Sequence, residues 1–277
     1  MSMVVYEQKM NAGQPGSGGS TGREFVDVHC HCLCGLDDGP ATMAESLRLC
    51  KMLVADGILT VVATPHQMGR FDGCYQAGQI RDAVAILNGA LERQGIALTV
   101  LPGADVRIDE RICELLRSDK ILTLADGGRY ILLELPHETF IDPEPLLASL
   151  SELGLRPVIS HPERNAFLSQ NPALVFGWAE YGIAIQLTAA SLAGDLGRAV
   201  QESAWRFIDM PLPVMVATDS HNCNKRAPRM RRAFDSIARR RGMERANLLC
   251  IKNPRRVLSG EDLLVIDGKA AQEAHKK

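Results

Sequence analysis

Short apolar runs rich in β-branched residues alternate along this chain with longer amphipathic or alanine-rich segments, and that alternation leaves few folds open. The runs are Phe25–His29, Leu59–Thr64, Leu98–Pro102, Tyr130–Leu135, Pro157–Ser160, Ile183–Leu187 and Val214–Thr218, seven in all. Helical candidates lie between them at Thr42–Asp56, Gln76–Gln94, Pro143–Leu153, Asn171–Tyr181 and Leu192–Met210, with helix-stop glycines at Gly57, Gly95, Gly154 and Gly182. Two more follow at Ala227–Arg241 and Glu244–Ile251. Strands that are apolar throughout need cover on both faces, so the pattern predicts a parallel sheet flanked by helices. An open doubly wound sheet and a closed barrel both satisfy it. The polar residues decide between them, because His31, His66, Asp105, Glu134, His161, Gln186 and His221 stand at or just past the C-terminal ends of successive runs. A barrel gathers such ends on one rim, whereas an open sheet spreads them along an edge. The expected fold is therefore α/β, a distorted seven-stranded (βα) barrel. Neither a Gly-x-Gly-x-x-Gly after the first run nor a P-loop is present to support a nucleotide fold.

Length and composition fit one domain. A chain of 277 residues with 46% hydrophobic content buries a single large core. We expect a flexible leader at 1–22, rich in Gly, Ser and Gln, one domain at 23–267 and a polar tail at 268–277. A net charge of −2 gives no bulk attraction to nucleic acid or to anionic membranes. No run is long enough to span a bilayer, and the start lacks the basic and apolar regions of a signal peptide, so the expected location is the cytoplasm. The eight cysteines show neither disulfide-framework nor zinc-finger spacing and read as small hydrophobes in a reducing compartment.

Five of the seven histidines sit where an apolar run ends, in Asp27-Val28-His29-Cys30-His31, Thr64-Pro65-His66, Ser160-His161-Pro162 and Asp219-Ser220-His221. On a strand, Asp27, His29 and His31 would share one face and Val28 and Cys30 the other. Imidazole and carboxylate are the ligands that divalent Zn, Mn and Fe prefer, and their repetition at four strand ends points to a polynuclear metal centre. A water bridging two such ions loses a proton near neutral pH, because its pKa falls from 15.7 toward ~7.

Those stretches, with Gly35-Leu36-Asp37-Asp38-Gly39-Pro40, Glu134-Leu135-Pro136, His161-Pro162-Glu163-Arg164-Asn165 and Ala217-Thr218-Asp219-Ser220-His221-Asn222, resemble the PHP (polymerase and histidinol phosphatase) superfamily. Within it the chain is similar to the bacterial protein-tyrosine phosphatases of capsule and exopolysaccharide loci, from about Phe25 to Leu258. The resemblance implies a PHP-type barrel holding three divalent metal ions, Mn²⁺ first, with Fe or Zn as alternatives. His29, His31 and Asp219 would hold the first ion, Glu134 and His161 the second, and Asp38, His66 and His221 the third, with Asp105 bridging the first two. The family usually has Glu at the bridging position, and Asp105 is one methylene shorter. Asp37 has a rival claim to the third ion, but the resemblance favours Asp38, and Asp37 otherwise reads as an N-terminal cap for the following helix.

Carried further, the resemblance implies that Arg164 and Arg226 bind the phosphate and that Asp219 belongs to the catalytic set as well as to the ligands. The substrate would be phosphotyrosine on a protein, expected to be a bacterial tyrosine kinase controlling polysaccharide synthesis, hydrolysed by metal-activated hydroxide. Three alternatives stand beside this reading. One is a PHP phosphoesterase acting on histidinol phosphate or a nucleotide or sugar phosphate. Another is thiol chemistry on the Cys223-x5-Arg229 spacing, disfavoured because no glycine lies in the intervening Asn-Lys-Arg-Ala-Pro. The last is an inactive metal-binding regulatory protein. His137, after Glu134-Leu135-Pro136, is read either as lining the substrate mouth or as a surface loop histidine, and His275 as part of the exposed tail.

Overall fold

The computed structural model describes residues 24–265. The leader expected at 1–22, the tail at 268–277 and His275 lie outside these residues.

Strands and helices alternate as the sequence requires. The strand segments are β1 (Phe25–Cys30), β2 (Ile58–Ala63), β3 (His66–Gln67), β4 (Thr99–Pro102), β5 (Asp105–Arg107), β6 (Tyr130–Glu134), β7 (Arg156–Ser160), β8 (Ala184–Thr188) and β9 (Val214–Ala217). Every pairing is parallel. The order β1-β2-β4 makes a three-stranded sheet, and β3-β5-β6-β7-β8-β9 makes a six-stranded one. The single seven-stranded sheet expected from the sequence is thus divided, because the second and third runs each break and resume. The first break falls at Thr64-Pro65, where proline has no N–H to give the ladder. The second falls at Gly103, where a Cβ would stand 2.6 Å from Val62 Cγ1, too close for any residue but glycine. On the far side the sheets meet again. The Asp219 N–H donates to the His29 carbonyl at 2.8 Å, the His31 N–H donates to the Ser220 carbonyl at 2.8 Å, and Cys30 bridges Ser220.

The helices are α1 (Met43–Ala55), α2 (Ala77–Arg93), α3 (Ile112–Arg117), α4 (Glu144–Glu152), α5 (Ala173–Gly177), α6 (Ala189–Ala193), α7 (Arg198–Ile208), α8 (Met230–Arg241), α9 (Met243–Asn247) and α10 (Asn253–Ser259). Thr42 caps α1 through a reciprocal box with Glu45, which leaves Asp37 without the capping role expected of it. The helix expected over Leu192–Met210 is two, α6 and α7, separated by a turn in which Gly194 (φ 88°) and Gly197 (φ 92°) take left-handed backbone. The short α3 falls in a segment where no helix was expected.

Two apolar clusters hold the layers together. The larger lies between sheet and helices, where Phe25 meets Phe234 with ring centroids 5.5 Å apart and Leu49, Leu53, Ile80 and Leu87 are buried. The smaller gathers Val26, Val62, Leu132, Val158, Ala184 and Met215, residues of both sheets. Val28 packs in the smaller cluster and Cys30 in the larger, so the strict alternation expected along β1 fails. A register shift between Asp27 and Cys30 is the reason. Asp27 joins none of the candidate ligand groups and accepts hydrogen bonds from the Thr218 N–H at 2.9 Å and the Thr218 hydroxyl. Burial pushes its carboxyl up to about 6 against those bonds. All eight cysteines are free, and among the described residues no helix is long and apolar enough to cross a membrane.

Candidate metal centre

The C-terminal ends of the strands converge on one cluster of imidazoles and carboxylates. Their ligand atoms fall into four groups, each within 4.8 Å: His29, His31 and Asp219; His31, Asp38, His66 and His221; Glu134, His137 and His161; and His66, Asp105 and Glu134. Each of the three ligand sets expected from the sequence comes together. Asp105 stands among them, its Oδ2 lying 3.5 Å from His29 Nε2 and 3.4 Å from His66 Nδ1. His137, left open from sequence between the substrate mouth and the surface, stacks on His161 at 5.2 Å and reaches Glu134 at 3.6 Å, so it belongs to the cluster.

The orientation of the imidazoles is fixed from behind. His29 Nδ1 lies 2.9 Å from the Gln186 side-chain oxygen, and His31 Nδ1 lies 2.6 Å from Asp37 Oδ2. An amide oxygen and a carboxylate only accept, so the proton of each ring belongs on Nδ1, which leaves Nε2 to offer a lone pair to a metal. Those two Nε2 atoms face each other at 3.1 Å. Two lone pairs at that separation repel unless a cation sits with them, which is the outward signature of imidazoles held for a metal. Asp37 also accepts the His66 N–H at 3.0 Å and the Gly39 N–H at 2.9 Å. Gly39 must be glycine, because a Cβ there would lie 2.5 Å from the His31 carbonyl oxygen. Asp37 and Gln186 are therefore positioning residues. Sequence reasoning placed Gln186 at a strand end without giving it a task, and a strand-end polar residue facing a ligand histidine was the signal available.

At His31 and His161 electrostatics favour metal binding over protonation, whereas at His66 burial is outweighed by Asp105 and Glu134, which push the imidazole up to about 9. Burial first, and then the neighbouring His221, His66 and His29, keep His31 well below its ordinary range. Burial and Arg164 do the same to His161. Burial opposes charge on Asp219, yet His29, Arg226 and Arg164 together hold its carboxyl well below the ordinary range. Glu134 is raised by burial and then by Asp105. Both oxygens of Asp105 are buried without a hydrogen-bond donor, and so is His221 Nε2. Orphaned buried acceptors are costly unless a cation meets them, so the donor set fits divalent metal ions.

The two expected phosphate-binding arginines stand at the cluster. Arg164 donates through Nη1 to Asp219 Oδ2, and Arg226 donates through Nη2 to both Asp219 oxygens at 2.8 Å. With Arg70 and Arg107 they line an open cavity of about 330 Å³ whose floor is Asp38, His66, Glu134 and His161. Arg107 pairs with Glu134 at 3.0 Å and Arg70 with Asp38 at 2.9 Å. Neither was singled out from the sequence, where isolated arginines after short strands carry no distinguishing signal. Arg229 turns to Asp195 at 2.6 Å, so the Cys223-x5-Arg229 spacing forms no phosphate cradle. His161 (φ 33°) and Asp219 (φ 52°) both hold left-handed backbone, uncommon for residues with a Cβ and concentrated at functional sites.

Comparison with known proteins accords with this geometry. The family model described as "Capsular polysaccharide synthesis, CpsB/CapC" matches residues 25–259. Tyrosine-protein phosphatase YwqE of Bacillus subtilis is 37% identical over 205 residues, covering 73% of this chain and 79% of that protein. Tyrosine-protein phosphatase CpsB of Streptococcus pneumoniae is 29% identical over 242 residues, covering 84% and 98%. A solved structure from work on those two proteins, described as metal-dependent tyrosine phosphatases, superposes with a TM-score of 0.83 at 33% identity, over 87% of this chain and 97% of the other.

Proposed function

Since the chain belongs to the CpsB/CapC family of capsular polysaccharide synthesis, we propose that it is a metal-dependent protein-tyrosine phosphatase. The observation that carries this reading is the pair of back-anchored imidazoles, His29 on Gln186 and His31 on Asp37, whose free nitrogens converge beside the orphaned Asp105 and in front of two arginines. His29, His31 and Asp219 would hold one ion, Glu134 and His161 a second, and Asp38, His66 and His221 a third, with Asp105 between the first two, and Mn²⁺ is the ion we favour. Bound divalent cations would supply Lewis acidity toward phosphoryl oxygens and bring the pKa of water toward neutrality. The protein's own part is to bind and orient. Arg164 and Arg226 meet the equatorial oxygens of the phosphoryl group, where the planar guanidinium gives two donors in a fixed fork. The Asp219 carboxylate holds both forks in place, so little side-chain freedom remains to be lost when substrate binds. A phenolate leaving group with a pKa near ~10 departs without a strong general acid.

We read the two sheets as one distorted seven-stranded PHP-type barrel, supported by chain continuity across the two breaks and by the small apolar cluster that both sheets share. The physiological substrate we favour is a bacterial tyrosine kinase controlling polysaccharide synthesis, in the cytoplasm. The test is hydrolysis of a phosphotyrosyl peptide, compared with histidinol phosphate and a sugar phosphate, by protein loaded with Mn²⁺, Fe²⁺ or Zn²⁺ after complete chelation. Preference for the peptide is expected, and preference for either small phosphate would overturn the reading.

A further inference from the structure

Beside the polar cavity lies a second, larger chamber of about 510 Å³, and His137, Arg164 and Arg226 line both. The two differ in chemistry. The first is lined mainly by imidazoles, carboxylates and guanidiniums, with Met68, Gly69 and Phe71 to one side, whereas the second sets an apolar patch of Ala166, Ala190, Leu196, Val200 and Ala227 beside charged and hydroxyl side chains. Small side chains predominate there, so the space is left open, and Leu196 is 37% exposed beside it. Exposed Lys225 stands at this chamber with Arg164 and Arg226, against the exposed Glu138 and the buried Asp219 that the two arginines share. The buried Thr188 hydroxyl, also on the lining, has no hydrogen-bond partner.

A phosphoryl group gains nothing from an alanine-lined wall. Once it is seated against Arg164 and Arg226, however, whatever is covalently attached to it extends past those same arginines, and the second chamber is what it meets. A phosphorylated protein continues in both directions from the tyrosine, whereas a small phosphate ester does not. The cationic margin suits a chain that carries a phosphate, and the apolar floor suits a side chain without charge. We propose that this chamber is a specificity subsite for the protein substrate, receiving an aliphatic or aromatic side chain within two positions of the phosphotyrosine. The inference rests on the phosphatase reading above and adds the feature that separates a protein substrate from a small one. Burial of one such side chain is worth on the order of ten- to a hundredfold in affinity.

The experiment compares kcat/KM for p-nitrophenyl phosphate with that for phosphotyrosyl peptides in which flanking apolar residues are replaced by glycine one at a time. It uses the metal-loaded parent and the variants Ala190→Phe, which fills the chamber, and Leu196→Ser, which removes an apolar wall from an exposed position. Metal content and melting temperature are followed in each, and Leu196→Ser carries the test alone if Ala190→Phe fails to fold. In the parent, one glycine replacement should lower peptide kcat/KM at least tenfold, through KM. In Ala190→Phe the ratio of peptide to p-nitrophenyl phosphate activity should fall at least tenfold, with a several-fold fall in Leu196→Ser, and the sensitive peptide position should lose its effect. A ratio within twofold of the parent in both variants overturns the proposal. So does an equal loss on both substrates, which would place the phenyl ring itself in the chamber. Absence of hydrolysis of either substrate by the parent would instead remove the phosphatase reading on which the subsite depends.

Discussion

The two ends of the same strands obey opposite physics. On β7, Val158 packs in the small apolar cluster, and three residues later His161 is buried among charged and imidazole groups. On β9, Met215 is in that cluster, and four residues on, Asp219 holds two guanidiniums. The lower layer is apolar surface removed from water, worth roughly 25 cal/mol per Å². The upper layer buries imidazoles against one another and leaves the Asp105 carboxylate without a donor, which destabilises the fold unless metal is bound. Stability and chemistry are therefore separated by three or four residues along these strands.

That separation can be broken from either side. The largest effect is expected at the upper layer: complete chelation, or His161→Ala, should take phosphotyrosyl-peptide hydrolysis to background, and metal analysis should show the variant short of metal. In the lower layer, Leu132→Ala should cost about 2–5 kcal/mol of folding free energy in denaturant titration, while the folded protein still loads metal fully. Loss of metal in that variant at low denaturant would show the layers to be coupled. Within the upper layer, Asp37→Asn should weaken metal binding about 10–100-fold by unlatching His31, read by competition with a metal indicator. Arg164→Ala and Arg226→Ala should keep the metals yet lower turnover by a similar factor, since charge-assisted hydrogen bonds contribute ~1.5–3 kcal/mol. A change within about twofold in both, ~0.4 kcal/mol, would remove the arginines from phosphate binding. The smallest effect belongs to Cys223→Ser, which should leave activity within about twofold.

Residues that combine a strand end with a distinctive side chain were legible from sequence. His29, His66, His161 and His221 each follow an apolar run, and periodicity alone gathers them on one rim. Asp37 was not legible, because Leu-Asp-Asp-Gly-Pro reads equally well as a helix cap. Only the fold, which brings His31 and His66 to the same carboxylate, distinguishes the two. His137 was left open between the substrate mouth and the surface for a related reason. Its place depends on a loop returning onto His161, a contact of the Ala166 N–H with the His137 carbonyl at 2.9 Å that no local pattern encodes. The division of the sheet escaped too. Pro65 and Gly103 are visible, but the crowding of Gly103 against Val62 is a meeting of residues distant in sequence.

Asp219 faces in two directions, with Oδ1 3.4 Å from His29 Nε2 and 3.5 Å from His31 Nε2, and both oxygens on guanidiniums. One carboxylate thus offsets part of the charge of two arginines and faces the imidazoles at the same time. A divalent cation held by Asp219 would draw on the same carboxylate charge, leaving the two guanidiniums in place with more uncompensated charge to offer an external anion. Thermodynamic linkage makes the effect reciprocal: whatever factor metal adds to phosphate affinity, phosphate must add to metal affinity. Titrating the metal with and without inorganic phosphate, and phosphate with and without the metal, should return the same factor. The protein would then retain its ions most tightly while its product is still bound.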